Sequence, residues 1–316
     1  MKLSVALCTF NGSKFIEQQI NSILNQTIKV DEIIVCDDKS SDATVSILKK
    51  LQVTHPSIVI IENEINLRST KNFEKAIQLC SGDYIFLADQ DDLWNEKKVE
   101  KTLEIFNKNS LAEGVFSNAD IIDDSNLIIP NKTIWDSVFF FEKEMPKPID
   151  FLDIILKNGN IVTGATLCIK KEVKSFICPF SEENLHDEWI AKILAVRKTL
   201  YYSKDNLISY RIHGNQQVGM KNLDKIEKIN KKKRIIVGLD LPKNYSEYRL
   251  LLKKIFLKQK ELVNFQKYNF EFINSEELLN HNQIYYIETI DQAKKAYPLQ
   301  FKITKLIDNI LGKRKL

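Results

Sequence analysis

The chain has 316 residues, 44% hydrophobic and 28% charged, enough for one large domain or for one of about 200 residues with an appendage. Its five cysteines (Cys8, Cys36, Cys80, Cys168, Cys178) show no CxxC spacing, which speaks for buried free thiols over disulfides or zinc, and no apolar run approaches the roughly 20 residues that a bilayer-crossing helix needs. The net charge of +4 is uneven: residues 221–260 hold 13 Lys and Arg against 4 Asp and Glu, leaving an acidic body in front, which speaks against a nucleic-acid reader that is basic throughout.

Leu3 to Thr9 reads as a first strand and Phe10-Asn11-Gly12 as the turn after it. Because Met1-Lys2 leads straight into that strand, the expected location is the cytoplasm. Phe15, Ile16, Ile20, Ile23 and Leu24 recur at helical spacing. Glu32 to Cys36 is a second strand that runs into Asp37-Asp38, where Ser41 or Asp42 can cap the next helix. Ile58 to Ile61 is a third strand, Asn66 to Cys80 loop and helix, and Tyr84 to Ala88 a fourth strand. Strands alternating with helices predict βαβ units and a largely parallel sheet. Asn95 to Lys108 reads as a helix, Gly114 to Ser117 and Ala119 to Ile122 as two short strands, and Gly164 to Ile169 as another strand. Glu188 to Lys198 reads as a helix, and Tyr201-Tyr202 and Leu207 to Ile212 as closing strands. Beyond about residue 221 the pattern changes to long Lys-rich helices, so the boundary is drawn between 1–220 and 221–316.

The chemistry is concentrated after the fourth strand, where Asp89, Asp91 and Asp92 fall within four residues. Three carboxylates leaving a buried strand repel one another unless a cation or strong hydrogen bonds offset them. Hard oxygen ligands of this kind suit Mg²⁺ or Mn²⁺ held jointly with a substrate's phosphates. Asp37 and Asp38 leave the same sheet edge, so Thr9, Asn11, Asp38 and Asp91 should surround one crevice at the carboxyl ends of strands. Asp187, after His186, is either a helix cap or a chemical base. A dinucleotide GxGxxG, a P-loop and a nucleophile elbow are all absent. An EF-hand starting at Asp89 fails because Trp94 stands where glycine is required. Trp94 and Trp189 read as packing residues. A metal site with a spare carboxylate and no nucleophile fits direct displacement at a phosphate-activated centre. Nucleotidyl transfer, or cation-dependent sugar or phosphate binding without catalysis, remains open at this point.

Five stretches together resemble the family 2 inverting glycosyltransferases, which have the GT-A fold, over about residues 1–220. They are Ser4 to Gly12, Val35 to Asp42, Asp89-Gln90-Asp91-Asp92-Leu93-Trp94, His186-Asp187-Glu188-Trp189 and Tyr210 to Gln217. The fold expected is thus a Rossmann-like α/β nucleotide-diphospho-sugar transferase domain with a helical C-terminal extension. The third stretch is similar to the metal-binding DxD region of the bacterial rhamnosyltransferase-like branch. The resemblance implies Asp91, with Asp89, as ligands of Mn²⁺ or Mg²⁺, and Thr9, Asn11 and Asp38 as contacts to base and ribose. It further implies Lys71 as a diphosphate contact, although Lys stands where the family often has Arg and loses the bidentate geometry. His213 is read either as a structural histidine or as a diphosphate or metal contact. Asp187 is implied as the base that deprotonates the acceptor. The implied reaction moves a sugar from a UDP- or dTDP-sugar, rhamnose or a related one, to a hydroxyl of a cell-surface polysaccharide or lipid-linked glycan.

For the basic segment two expectations stand. Lys231-Lys232-Lys233-Arg234 and nearby apolar residues could hold the inner face of an anionic membrane. Alternatively the helices, with Phe265, Tyr268, Phe270 and Phe272, pack on the catalytic domain or make a homo-oligomer.

Overall fold

The structure, a computed structural model, describes residues 1–214, 226–266 and 275–310. Asn215-Gln216-Gln217 of the closing motif, Lys221 and Lys225 of the basic segment, the side chain of Phe265, and Tyr268, Phe270 and Phe272 lie outside the described residues. Two compact units are formed, Met1–Phe141 with Asn160–Leu223, and Glu142–Gly159 with Asp224–Leu316.

The first unit begins β1 (Leu3–Thr9), α1 (Ile16–Leu24), β2 (Glu32–Asp37), α2 (Thr44–Thr54), β3 (Ile58–Glu62), α3 (Arg68–Leu79) and β4 (Tyr84–Ala88). It continues through β5 (Leu93–Trp94), α4 (Lys98–Lys108), β6 (Gly114–Ile122), β7 (Ile128–Thr133) and α5 (Ile134–Val138). After α6 (Phe151–Asn158), which belongs to the second unit, come β8 (Cys168–Lys170), α7 (Lys174–Ile177), α8 (His186–Val196) and β9 (Leu200–Arg211). The described strands form one sheet in the order β3-β2-β1-β4-β8-β6-β9-β5, with β7 on β6. It is parallel through β3-β2-β1-β4 and between β6 and β9, while β8 runs antiparallel to β4 and β6. All seven residues of β1 are buried, as expected of a strand covered on both faces. The strand order reverses between β1 and β4, which makes the crevice beside them the place where such sheets bind ligands.

Three elements differ from the sequence reading. β6 is one strand, because the polar Asn118 that divides it in sequence is absorbed by a bulge. The Asn118 side-chain oxygen accepts from the Ala119 N–H at 2.9 Å and from the Trp135 N–H at 3.3 Å. β9 is likewise continuous, since Ser203 pairs with Ser117 and Asn206 with Asn118 while Lys204 and Asp205 turn outward. In contrast, Gly164–Thr166 coils into a 3₁₀ turn and leaves only Cys168–Lys170 as strand. The Gly164 N–H is taken by the Asp187 carboxylate instead of a ladder partner. All five cysteines are free thiols.

The second unit holds α6 with α9 (Ile226–Ile236), α10 (Tyr245–Gln266), α11 (Ser275–Ala296) and α12 (Pro298–Ile310). The apolar face of α6, Leu152, Ile155 and Leu156, is buried, as are Leu251, Leu252, Ile255 and Leu262 of α10. Asp153 of α6 accepts from Lys258 of α10 at 2.6 Å and pairs with Lys157 at 2.8 Å. These contacts group Glu142–Gly159 with the C-terminal helices, an insertion that a boundary drawn at a composition change does not contain. No described helix is long and apolar enough to cross a membrane.

Candidate active site

A cavity of about 900 Å³ opens at the carboxyl ends of β1 and β4, within the range of pockets that take a whole nucleotide or cofactor. Thr9, Asn11, Asp38, Asp89, Asp91, Asp187 and His213 all line it. The register explains the convergence: Thr9 of β1 stands beside Asp37 of β2, and Leu7 beside Ala88 of β4, so the residues that follow each strand emerge at one level. Gln90 then locks the acidic loop to the end of β1. Its side-chain oxygen accepts from Thr9 Oγ1 at 2.6 Å and from the Phe10 N–H at 2.8 Å, and its Nε2 donates to the Phe10 carbonyl at 3.2 Å. A Cβ at position 12 would come within 2.2 Å of that oxygen, so the latch requires Gly12. Asn11, in a left-handed conformation (φ 51°), accepts from the Ser41 N–H at 2.8 Å and ties the same turn to the end of β2.

The three carboxylates of the acidic loop take different environments. Asp89 is pushed up to about 7 by burial and by the charges of Asp91 and Asp187. Burial, reinforced by Asp91 and Asp89, drives Asp92 well above the usual carboxylate range. Asp92 Oδ1 accepts from the Arg211 N–H at 2.9 Å. Asp91 instead faces the cavity, with Oδ2 2.8 Å from His213 Nε2. This pairing is a product of β9, which runs antiparallel to β5 and so carries residues 211–213 back past residues 91–92.

Two buried cations answer the clustered acids. Arg211 is fully buried, donating through Nε to the Asp91 carbonyl at 2.7 Å and through Nη1 to the Asp123 carbonyl at 2.9 Å, over the Phe15 ring. Lys98, at the start of α4, donates to the Ala165 carbonyl at 2.6 Å and lies 4.1 Å from the Trp94 ring centre. Burial lowers it to about 7, against the opposing pull of Cys168, Asp92 and Asp89. The site thus sets two buried basic groups beside the acids, where removing one partner of a buried set would leave the others uncompensated.

Whether the residues fit a divalent ion can be judged from the donors. Among the described residues no group of three or more His, Cys, Asp or Glu is arranged as a metal cage. Asp91 Oδ2 and His213 Nε2 are nevertheless adjacent and both line the cavity. One or two carboxylates, here Asp91 and Asp89, with the remaining positions left to phosphate oxygens and water, is how Mg²⁺ is commonly held, and the imidazole adds a softer nitrogen donor beside them. The donor set fits.

Asp187 lies on the cavity wall in the first turn of α8. Its Oδ1 accepts from the Glu188 N–H at 2.7 Å and its Oδ2 from the Gly164 N–H at 3.0 Å, while burial raises it to about 6. The two bonds fix the carboxylate's direction, and the raised value suits a proton acceptor near neutral pH. His186 beside it is buried, stacks on Phe73 with ring centres 3.8 Å apart, and is driven down to about 3 by burial. It sits there as a neutral ring.

Two expected donor contacts take other partners. Asp38 Oδ1 accepts from the Leu67 N–H at 2.7 Å and from Asn63 Nδ2 at 3.0 Å, and Oδ2 accepts from the Arg68 N–H at 2.9 Å. It therefore holds the entry to α3 as well as lining the cavity. Lys71 does not line the cavity: its ammonium pairs with Glu74 at 2.8 Å and donates to the Phe180 carbonyl at 3.3 Å. The structure does not bring it to the other site residues, because its position on α3 turns it toward 180. Replacing Asp38 by Ala would strand the Leu67 and Arg68 N–H groups, an expected loss of roughly 2–4 kcal/mol. Urea unfolding measures that loss, and an Asp38→Ala protein with wild-type stability would remove Asp38 from this role.

Sequence reasoning passed over Gln90, Lys98 and Arg211. Gln90 stood inside the motif but carried no charge to mark it. Lys98 falls within the helix expected over Asn95 to Lys108 and Arg211 within the closing motif, and only their burial beside Asp92 distinguishes them.

The profile of the family described as Glycosyl transferase family 2 matches residues 4–166. The dTDP-rhamnosyl transferase RfbG of Shigella flexneri is 29% identical over 239 residues, covering 67% of this chain and 73% of that protein. The UDP-Glc:alpha-D-GlcNAc-diphosphoundecaprenol beta-1,3-glucosyltransferase WfaP of Escherichia coli is 26% identical over 235 residues, 74% of this chain and 86% of that one. Among solved structures, the mannosyltransferase PcManGT from Pyrobaculum calidifontis, in complex with GDP-Man and Mn²⁺, superposes with a TM-score of 0.52. It is 13% identical and covers 99% of this chain and 88% of that chain.

Proposed function

The chain belongs to glycosyl transferase family 2 and is an enzyme of that family with a GT-A fold; from that premise we propose that it is a metal-dependent, inverting transferase of a UDP- or dTDP-linked sugar, rhamnose or a related one. The acceptor in this reading is a hydroxyl of a growing cell-surface polysaccharide or a lipid-linked glycan. The observation that carries it is that one cavity is lined both by Asp91, paired with His213, and by Asp187, a directed carboxylate raised to about 6. RfbG and WfaP, which span most of the chain, support the donor class and a lipid-linked acceptor by their descriptions.

Thr9, Asn11 and Asp38 line the end of the cavity where β1 and β2 finish and would position base and ribose. Asp91 and His213, assisted by the charge of Asp89, would hold Mn²⁺ or Mg²⁺ against the diphosphate. The cation supplies neutralisation of the negative charge that grows on the leaving diphosphate. Asp187 would take the proton from the acceptor hydroxyl as that oxygen attacks the anomeric carbon on the face opposite the diphosphate. The new carbon–oxygen bond forms as the bond to the diphosphate breaks, and one displacement inverts the centre without an enzyme nucleophile. Lys98 and Arg211, buried beside Asp92, offset part of the repulsion within the acidic loop.

The test is incubation with a panel of UDP- and dTDP-sugars, each with Mn²⁺, followed by identification of the released nucleotide. Release of UDP or dTDP is expected. Pyrophosphate would mark a nucleotidyltransferase, and binding without turnover would mark a recognition module.

A further inference from the structure

The last described helix, α12, is apolar on the wrong side. Leu299, Ile303, Leu306 and Ile307 are 72%, 57%, 61% and 47% exposed, whereas Phe301, Thr304 and Asp308 are buried. The exposed four fall at i, i+4, i+7 and i+8, one stripe along the helix, and the buried three lie on the opposite face. The inner face is anchored, with Asp308 3.8 Å from Arg249 of α10 and the Phe301 ring under the Lys294 ammonium. A single exposed leucine needs no explanation, but four large aliphatic side chains in nine residues form a contiguous surface that calls for a partner.

Charge indicates the chemistry of that partner. The only exposed charged side chains of Pro298–Ile310 are Lys302 and Lys305, since the one acid, Asp308, is buried. The sequence continues with Lys313, Arg314 and Lys315. We propose that the outward face of α12 docks the chain on an anionic lipid bilayer. In this arrangement the four aliphatic side chains enter the boundary of the acyl region, while the lysines beside them meet the headgroups. Thirteen residues of helix span about 20 Å, too short to cross, so the helix lies in the plane of the surface.

The surface expected from sequence at Lys231 to Arg234 is less suited to this role. Arg234 is held by Glu144 at 2.7 Å and by Asp240 at 2.9 Å, and Lys233 donates to the Asn158 carbonyl. Half of that tetrad is thus engaged within its own unit.

The full chain is sedimented with vesicles of phosphatidylglycerol and phosphatidylcholine in equal parts, and with pure phosphatidylcholine, at low and high salt. Wild type should pellet with the anionic vesicles, more weakly at high salt, and far less with the neutral ones. Ile303→Ser with Leu306→Ser should weaken anionic binding about tenfold or more. Lys302→Gln and Lys305→Gln should each weaken it about fivefold. All four positions are exposed, so thermal melts should match wild type. Wild type remaining in the supernatant with both vesicles, or the serine double variant binding as wild type does, overturns the proposal. So does a wild-type dimer that the serine variant dissociates while neither protein binds vesicles. None of these readouts involves sugar transfer, so they stand or fall apart from the catalytic reading.

Discussion

Replacing Asp187 by Asn is expected to lower turnover by about 10²–10⁴-fold, the usual contribution of a positioned base, while nucleotide binding changes little. Asn keeps the shape, but only its amide oxygen can accept, so one of the Glu188 and Gly164 N–H groups that Asp187 now satisfies loses its partner. A small fall in melting temperature should therefore accompany the kinetic loss. The pH dependence gives an independent check. Burial raises Asp187 to about 6, and only the ionised form accepts a proton. The value kcat/KM should thus rise with pH up to about 6 and level off above it, falling about tenfold per unit on the acid side. The Asn variant should lack that limb. If it instead turns over normally at saturating donor and binds donor weakly, Asp187 serves the donor or the helix start and not the acceptor.

The second large effect is expected at Asp91. Asp91→Asn removes the charge facing the cavity but retains an oxygen, so the fold should survive. Divalent-dependent turnover should drop by about 10²-fold or more, several kcal/mol of charge stabilisation being at stake. Mn²⁺ affinity, followed by electron paramagnetic resonance with UDP present, should fall in parallel, which separates ligand loss from a damaged base. His213→Ala should reproduce part of the affinity loss, because its Nε2 is the neighbour of Asp91 Oδ2 at 2.8 Å. Undiminished activity of Asp91→Asn, or of wild type in excess chelator, is incompatible with the proposed metal site.

The local order of the first half was legible because its signals are short-range. Continuous apolar runs such as Leu3–Thr9 and Tyr84–Ala88 bury both faces of a parallel strand, and the residues that follow them must then emerge at one sheet edge. That geometry alone gathers Thr9, Asn11, Asp38, Asp89 and Asp91, and the acidic loop declared its need for positive charge by composition. The grouping of five short motifs was sufficient to indicate the family.

What tertiary structure decided depends on contacts between residues far apart in the chain. A bulge let β9 run unbroken to Arg211, and its pairing with β5 delivered His213 to Asp91, more than a hundred residues away. Whether an Arg or Lys faces water or a buried acid has no periodic signature, so Arg211 and Lys98 were invisible until packing enclosed them. Lys71 shows the reverse: its charge suits a diphosphate, but in the structure it pairs with Glu74 and does not line the cavity. The outward stripe of α12 has the helical spacing of a core face, and sequence periodicity cannot say which of two apolar faces a neighbouring helix will cover. Only the packing of Phe301, Thr304 and Asp308 inward left Leu299, Ile303, Leu306 and Ile307 in solvent.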